Sequence, residues 1–205
     1  GLKTPTSGKI LLNDQNITKK SIRSRNDSGM KCIPEDRHKH GLVLDYSLME
    51  NLNLKQYYKE PFSKNNLLKF DQMNEYAEKL IEQYDVRSGE GVKSSARGMS
   101  GGNQQKAIVA REIEAEGDLL IAVQPTRGLD VGAIEFIHKR IIAARDADNA
   151  VLLISLELDE VMNVSDRILV IYEGEIVGDL DPKQTNIQEL GLYMAGSKRG
   201  AQYEK

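Results

Sequence analysis

Met99-Ser100-Gly101-Gly102-Asn103-Gln104-Gln105-Lys106 is the stretch around which the chain is organised. A serine precedes two glycines, and a helix-forming run follows from Gln104 to Ile113. A glycine-rich turn feeding a helix N-terminus aims backbone N–H groups, and the positive end of the helix dipole, at an anion. Ser100 adds a hydroxyl donor at the same spot. Taken alone, such a turn is more often a plain flexible helix start. The balance changes one helix and one apolar strand later, at Gln124-Pro125-Thr126-Arg127-Gly128-Leu129-Asp130, whose aspartate stands where it caps another helix.

Together these stretches resemble the signature loop and the segment ending in the D-loop of ABC-type ATPases. The Asn-Gln-Gln-Lys tail and the run from Pro125 to Ala133 are most similar to the second nucleotide-binding domain of sugar and nucleoside importers. In those importers the ATPase subunit carries two such domains in tandem. The resemblance covers essentially the whole chain. It implies an α/β fold with a RecA-like P-loop NTPase core, incomplete at the N-terminus, and an inserted α-helical sub-domain. The domain plan it implies is core strands up to the Q-loop over residues 1–35, the helical sub-domain over 36–98, and the signature motif with the rest of the core over 99–205.

The family's phosphate-binding loop has the form G-x-x-x-x-G-K-[ST], whose backbone N–H groups cradle phosphate while the lysine meets the terminal phosphates. It is absent here. Gly8-Lys9 is followed by Ile10, and Gly196-Ser197-Lys198 has the wrong order. In the family the run Pro5-Thr6-Ser7-Gly8-Lys9-Ile10 comes directly after that loop, and the first residue is Gly1 rather than methionine. The expectation is a fragment that opens beyond the phosphate loop.

Composition sets the bounds. The chain has 205 residues, 40% hydrophobic and 29% charged, enough for one good core with a sub-domain. A net charge of -3 gives no basic patch, so nucleic acid is not an expected partner. The apolar runs Leu119 to Val123 and Val151 to Ser155 have strand length, against the ~20 residues that span a bilayer. Cys32 is the one cysteine, so no internal disulfide forms, which suits a reducing compartment. Its place in the apolar run Met30 to Ile33 marks it as buried strand rather than thiol catalyst.

In chain order, Gly8 to Leu12 reads as a short strand, and Ser21 to Ser28 as a helix stopped at Gly29. Met30 to Ile33 reads as a buried strand. Asp36 to Gly41 is polar and loop-like; His38 and His40 at i, i+2 lack the further ligands a metal site needs. Ser47-Leu48-Met49-Glu50 fits a capping box. Met73, Tyr76, Ala77, Leu80, Ile81 and Tyr84 follow the spacing of an amphipathic helix from Asp71. Tyr57 and Tyr58 read as packing. Leu119 to Val123 and Val151 to Ser155 read as buried strands of a parallel sheet. Asp130 caps a helix carrying Ile134, Ile137 and Ile141 on one face, with His138 as a structural histidine. Glu157 to Val164 reads as a helix, Arg167 to Gly178 as a hairpin turning at Glu173-Gly174, Ile187 to Met194 as a helix, and Gly196 to Gly200 as a frayed tail.

The resemblance assigns roles to single positions. Ser100, Gly101, Gly102, Asn103 and Gln104 match an intact signature, and Gly128, Leu129 and Asp130 the D-loop. The Q-loop position, usually glutamine, is Glu35. Where the family has the metal-holding Asp and the catalytic Glu, this chain has Val123 and Gln124, and the γ-phosphate histidine is replaced by Leu156. Valine cannot ligate a metal, and glutamine lacks the charge of a general base. No catalytic group is intact and no metal ligand set is expected.

Because family members work as head-to-tail pairs, the expectation is an asymmetric role. This domain donates its signature to the partner domain's ATP and Mg²⁺ site, while its own site is degenerate. ATP and Mg²⁺ belong to the intact transporter, and neither is expected to bind this chain tightly; alone, the chain is expected to be inactive. The implied partners are the first ATPase domain of the same subunit or a second subunit, and a transmembrane permease for simple sugars or nucleosides. The implied place is cytoplasmic, peripheral to the inner face of the cell membrane. The alternative is a non-enzymatic, truncated interaction module. The ABC-fold proteins of DNA repair and chromosome packing are set aside, because no sustained heptad runs between residues 36 and 98. Lost core strands would uncover apolar sheet surface, so self-association or domain swapping of the isolated chain is expected.

Overall fold

The structure is a computed structural model that describes residues 3–200. The chain divides between Leu152 and Leu153 into two compact units.

The first unit opens with β1 (Leu11–Leu12) paired antiparallel to β2 (Gln15–Asn16). Asn13 and Asp14 between them have φ of 48° and 61°, the left-handed pair that a two-residue hairpin requires. The strand expected over Gly8–Leu12 is therefore shorter. Its partner offers only two residues, and Ile10 adds one backbone bond from Ile17 N–H at 2.9 Å and one to the Thr18 hydroxyl at 2.8 Å.

α1 (Ile22–Asp27) is capped by Ser21, whose hydroxyl accepts from Ser24 N–H, and it ends before Gly29, as expected. β3 (Met30–Ile33) follows. Residues 37–41, expected as loop, form a wide helical turn in which Leu42 N–H reaches Arg37 O at 2.8 Å. The Asp36 carboxylate accepts from His38 N–H and Lys39 N–H, each at 3.0 Å, and winds this turn from its start.

α2 (Leu48–Asn53) begins at the capping box, with Ser47 N–H on Glu50 Oε2 at 2.8 Å and Glu50 N–H on Ser47 Oγ at 3.2 Å. A hairpin of β4 (Ser63–Lys64) and β5 (Leu67–Leu68) then turns at the left-handed Asn65-Asn66. No strand was expected in this stretch, because its apolar residues do not alternate. α3 (Phe70–Gln83) buries Met73, Ala77 and Leu80, the stripe its spacing implies, with Tyr84 buried just beyond.

α4 (Gly101–Glu114) carries the signature at its start. β6 (Leu119–Val123) pairs parallel with β3 in the register Met30↔Leu119 to Ile33↔Ala122. α5 (Val131–Asp146) is capped by Asp130, which accepts from Ala133 N–H at 2.9 Å. Its buried face is Ala133, Ile137, Ile141 and Ala144; Ile134 is only half-buried, so the stripe is turned by one position from the expected one.

β7 (Ala150–Ile154) completes the sheet order β3–β6–β7. It was expected to be buried on both faces and is not. Leu152 and Ile154 are each 47% exposed. β7 is the last strand in the sheet order.

The second unit contains α6 (Leu158–Val164), β8 (Ile168–Tyr172), β9 (Glu175–Leu180) and α7 (Ile187–Met194). β8 and β9 form the expected hairpin around Glu173-Gly174, both at positive φ. Ile168, Val170, Val177, Leu190 and Tyr193 make its core. Residues 196–200, expected to fray, are tied down: Gly200 N–H bonds Val177 O at 2.9 Å, Arg199 pairs with Glu175 at 3.1 Å, and Lys198 pairs with Glu189 at 2.5 Å.

Candidate functional site

Ser100 holds the extended backbone of an N-cap, φ -64° and ψ 153°. Its Oγ accepts from Asn103 Nδ2 at 2.9 Å and from Asn103 N–H at 3.4 Å. Accepting through its lone pairs leaves the hydroxyl proton as a donor. Gly101 and Gly102 follow, half-buried, with first-turn N–H groups that have no partner within the helix.

The start of α5 lies alongside. A Cβ placed on Gly102 would sit 3.7 Å from both Asp130 Oδ2 and Ala133 Cβ. Two helix N-termini, of 14 and 16 residues, thus converge on a cleft of about 400 Å³ lined by Ser100, Gly102, Asn103, Lys106, Asp130 and Gly132, among others. Each end carries roughly half a positive charge. Lys106 Nζ is held at 2.9 Å by Asp85, which also takes Arg87 Nε at 3.2 Å. The Lys106 and then the Arg87 hydrogen bonds hold the Asp85 carboxyl below the usual carboxylate range. Two cations, Lys106 and Arg87, and two carboxylates, Asp85 and Asp130, line the cleft, and Asp130 already caps α5, so the first-turn amides of α4 and the Ser100 hydroxyl are the donors left for an anion. The signature residues and Asp130 are therefore brought together as one surface.

A second cleft, of about 540 Å³, lies between the segment Glu35–His40 and Arg127-Gly128. Glu35 and the D-loop segment meet here, as Arg127 Nη1 bonds Glu35 Oε1 at 2.8 Å. The Glu35 carboxylate is thus paired with an arginine. Asp36 beside it is held below the usual carboxylate range by the backbone N–H of Lys39 and then of His38.

Val123 and Gln124 stand at the end of β6. Gln124 is buried, with φ 48°, an uncommon backbone for a non-glycine residue. Val123 offers no ligand atom, so these side chains do not fit a magnesium ion. Leu156 follows β7 in the second unit and is 73% exposed. Cys32 is half-buried, and burial pushes its thiol above its ordinary value, away from reactivity. The two histidines after Asp36 do not act as a pair: His38 Nε2 is hydrogen-bonded to Gln104 Oε1 at 2.8 Å.

Arg37, Arg127, Lys106 and Asp85 received no role from the sequence. Arg127 stood inside a quoted motif, but its partner lies 92 positions away, so local spacing gave no signal.

Fold and site define an ABC-type ATP-binding cassette, a RecA-like α/β architecture. The chain belongs to the ABC transporter family, whose sequence profile matches residues 1–127. It is 55% identical over 197 residues to the guanosine import ATP-binding protein NupO of Bacillus subtilis (strain 168), covering 96% of this chain and 38% of that protein. It is 53% identical to the nucleoside import ATP-binding protein NupA of Lactococcus lactis subsp. cremoris (strain MG1363), with 96% and 38% covered. It is 41% identical to the glucose import ATP-binding protein TsgD13 of Haloferax volcanii, with 96% and 36% covered. The chain therefore spans under two fifths of the length of these relatives.

Among solved structures, the dimeric ATP-binding cassette MJ0796, in a post-hydrolysis state bound to ADP and Pi, superposes with a TM-score of 0.73 at 16% identity. It covers 90% of this chain and 77% of that one. That likeness concerns the fold. No helix among the described residues is long and apolar enough to cross a membrane.

Proposed function

We propose that this chain is a nucleotide-binding domain of a nucleoside importer, corresponding to the second cassette of a tandem subunit, and that it acts by donating its signature turn. The observation that carries the reading is the pairing of an open, Ser100-capped helix start with Val123 and Gln124 at the end of β6. Donors for an anion are preorganised on one surface, while the chain's own hydrolytic positions lack a charged ligand or base. The anion is the terminal phosphate of an ATP held by the partner cassette. Its developing charge is met by Ser100 Oγ–H and the Gly101 and Gly102 amides, with no reorganisation at the moment of reaction. Nucleoside is favoured over sugar because identity to the two nucleoside import proteins, 55% and 53%, exceeds the 41% to the glucose one. A permease is the membrane partner, which places the chain at the inner face of the membrane.

The test measures ATP turnover by this chain alone, by an intact partner cassette, and by the two assembled. Alone the chain is silent; in the assembly it raises turnover. Ser100→Arg, which fills the donor surface, lowers that stimulated rate by roughly a hundredfold or more. Full stimulation by the arginine variant would sink the reading and leave a non-enzymatic interaction module in its place.

The exposed Leu152 and Ile154 of the sheet's last strand favour association of the isolated chain. Light scattering is expected to show oligomers that grow with concentration; a monomer at every concentration rules this out.

A further inference from the structure

The helical turn 37–41 is bound to the signature helix more firmly than an exposed loop requires. Arg37 lays its guanidinium against the first signature glycine: a Cβ on Gly101 would stand 2.9 Å from Nη2 and 3.3 Å from Cζ. Its Nη1 donates to Arg127 O at 3.3 Å, so one side chain touches both the signature and the segment leading to α5. One residue on, His38 Nε2 meets Gln104 Oε1 at 2.8 Å. Gln104 is itself buried and donates to Ala96 O at 2.9 Å, which ties the chain entering the signature to the chain leaving it.

We infer that Arg37 and His38 are positioning residues that lock the signature turn to the Asp36–Gly41 turn. The Ser100, Gly101 and Gly102 donors and the start of α5 then keep one fixed spacing. This rests on the reading of the signature as donor to a partner's ATP. The chemistry is direct. Gln104 accepts from His38 and donates to Ala96 O, and losing either bond frees the first turn of α4 to rotate its N–H groups away from the phosphate. Arg37 fills the one space that Gly101 leaves open, so it sets the spacing by contact as well as by its hydrogen bond.

The experiment is a double-mutant cycle in the assembled cassettes, reading the KM for ATP and kcat. His38→Ala raises KM roughly fivefold to tenfold, with an unchanged thermal midpoint. His38→Gln, whose amide nitrogen stands where Nε2 did, restores KM to within about twofold. In a Ser100→Ala background His38→Ala raises KM by a smaller factor than in the parent, since one of the three donors it positions is already gone. Equal effects of His38→Ala in both backgrounds, or an unaltered KM, overturn the inference. Ser100→Arg run beside them separates the two claims. If it silences turnover while His38→Ala is neutral, only the positioning role fails; if it leaves turnover intact, the donor reading fails.

Discussion

Replacing Glu112 by alanine is expected to lower the stability of the first unit by roughly 3–5 kcal/mol, the cost of stripping one partner from a buried ion pair. Glu112 is 1% exposed. Its Oε2 accepts from Lys55 Nζ at 2.7 Å and from Cys32 N–H at 3.0 Å, while Oε1 accepts from Arg111 Nε at 2.9 Å. One carboxylate thus joins α4 to β3 and to the chain that follows α2. Truncation strands the Arg111 guanidinium, 3% exposed, with its remaining bond to Asn51 O at 3.3 Å. It also removes the acceptor of a strand N–H. Lys55 is 29% exposed and regains water, so most of the loss comes from Arg111.

Against a total stability of about 5–15 kcal/mol, a loss of this size moves the urea midpoint far enough to be read directly. Changing Arg111 and Glu112 together to methionine is expected to cost less than Glu112→Ala alone, because the buried Arg111 charge is removed with its partner and Lys55 regains water. A single-variant loss under about 1 kcal/mol means the pair is hydrated in solution, and the account of a buried network fails.

The second large effect is at Gly117. Its φ is 145°, and a Cβ there would lie 2.4 Å from Gly29 O and 2.6 Å from Gly29 Cα. Gly29 faces it with φ 92°, and a Cβ on that residue would stand 3.1 Å from Gly117 Cα. Two backbones touch here, just ahead of the paired strands β3 and β6, where Leu119 N–H reaches Gly29 O at 3.2 Å. Gly117→Ala therefore adds a backbone conformation costing about 1–3 kcal/mol to an overpacking strain of about 1–3 kcal/mol. The neighbour is main chain and has no rotamer to yield.

The expected result is a destabilisation of roughly 2–6 kcal/mol in denaturant unfolding, with the strand register around Met30↔Leu119 loosened in hydrogen exchange. Gly89→Ala serves as the comparison, since nothing lies within 4 Å of its added methyl and its φ is not in the left-handed range. It is expected to stay within about 0.5 kcal/mol of the parent. If the two variants unfold alike, the close approach at Gly117 has no energetic weight.

The sequence alone determined what acts over a few residues. Ser47 and Asp130 cap the helices expected of them, and Ser21 and Ser100 cap two more, because a cap needs only its own side chain and an N–H two or three positions on. The buried stripe of α3 followed from a spacing of three and four. The runs from Ser100 to Gln104 and from Gly128 to Asp130 are contiguous, so the resemblance they carry was readable without the fold.

The tertiary structure decided whatever depends on distant partners. Arg127 neutralises Glu35 across 92 positions, and His38 meets Gln104 across 66. Gly117 needs its glycine both for its φ of 145° and because Gly29 arrives opposite it. Leu152 and Ile154 form an apolar run that reads as doubly buried, yet burial depends on what covers a strand, and β7 stands last in its sheet. A sequence records which groups are able to form such pairs. Only the fold, by paying the entropy of closing long loops, selects which of them do.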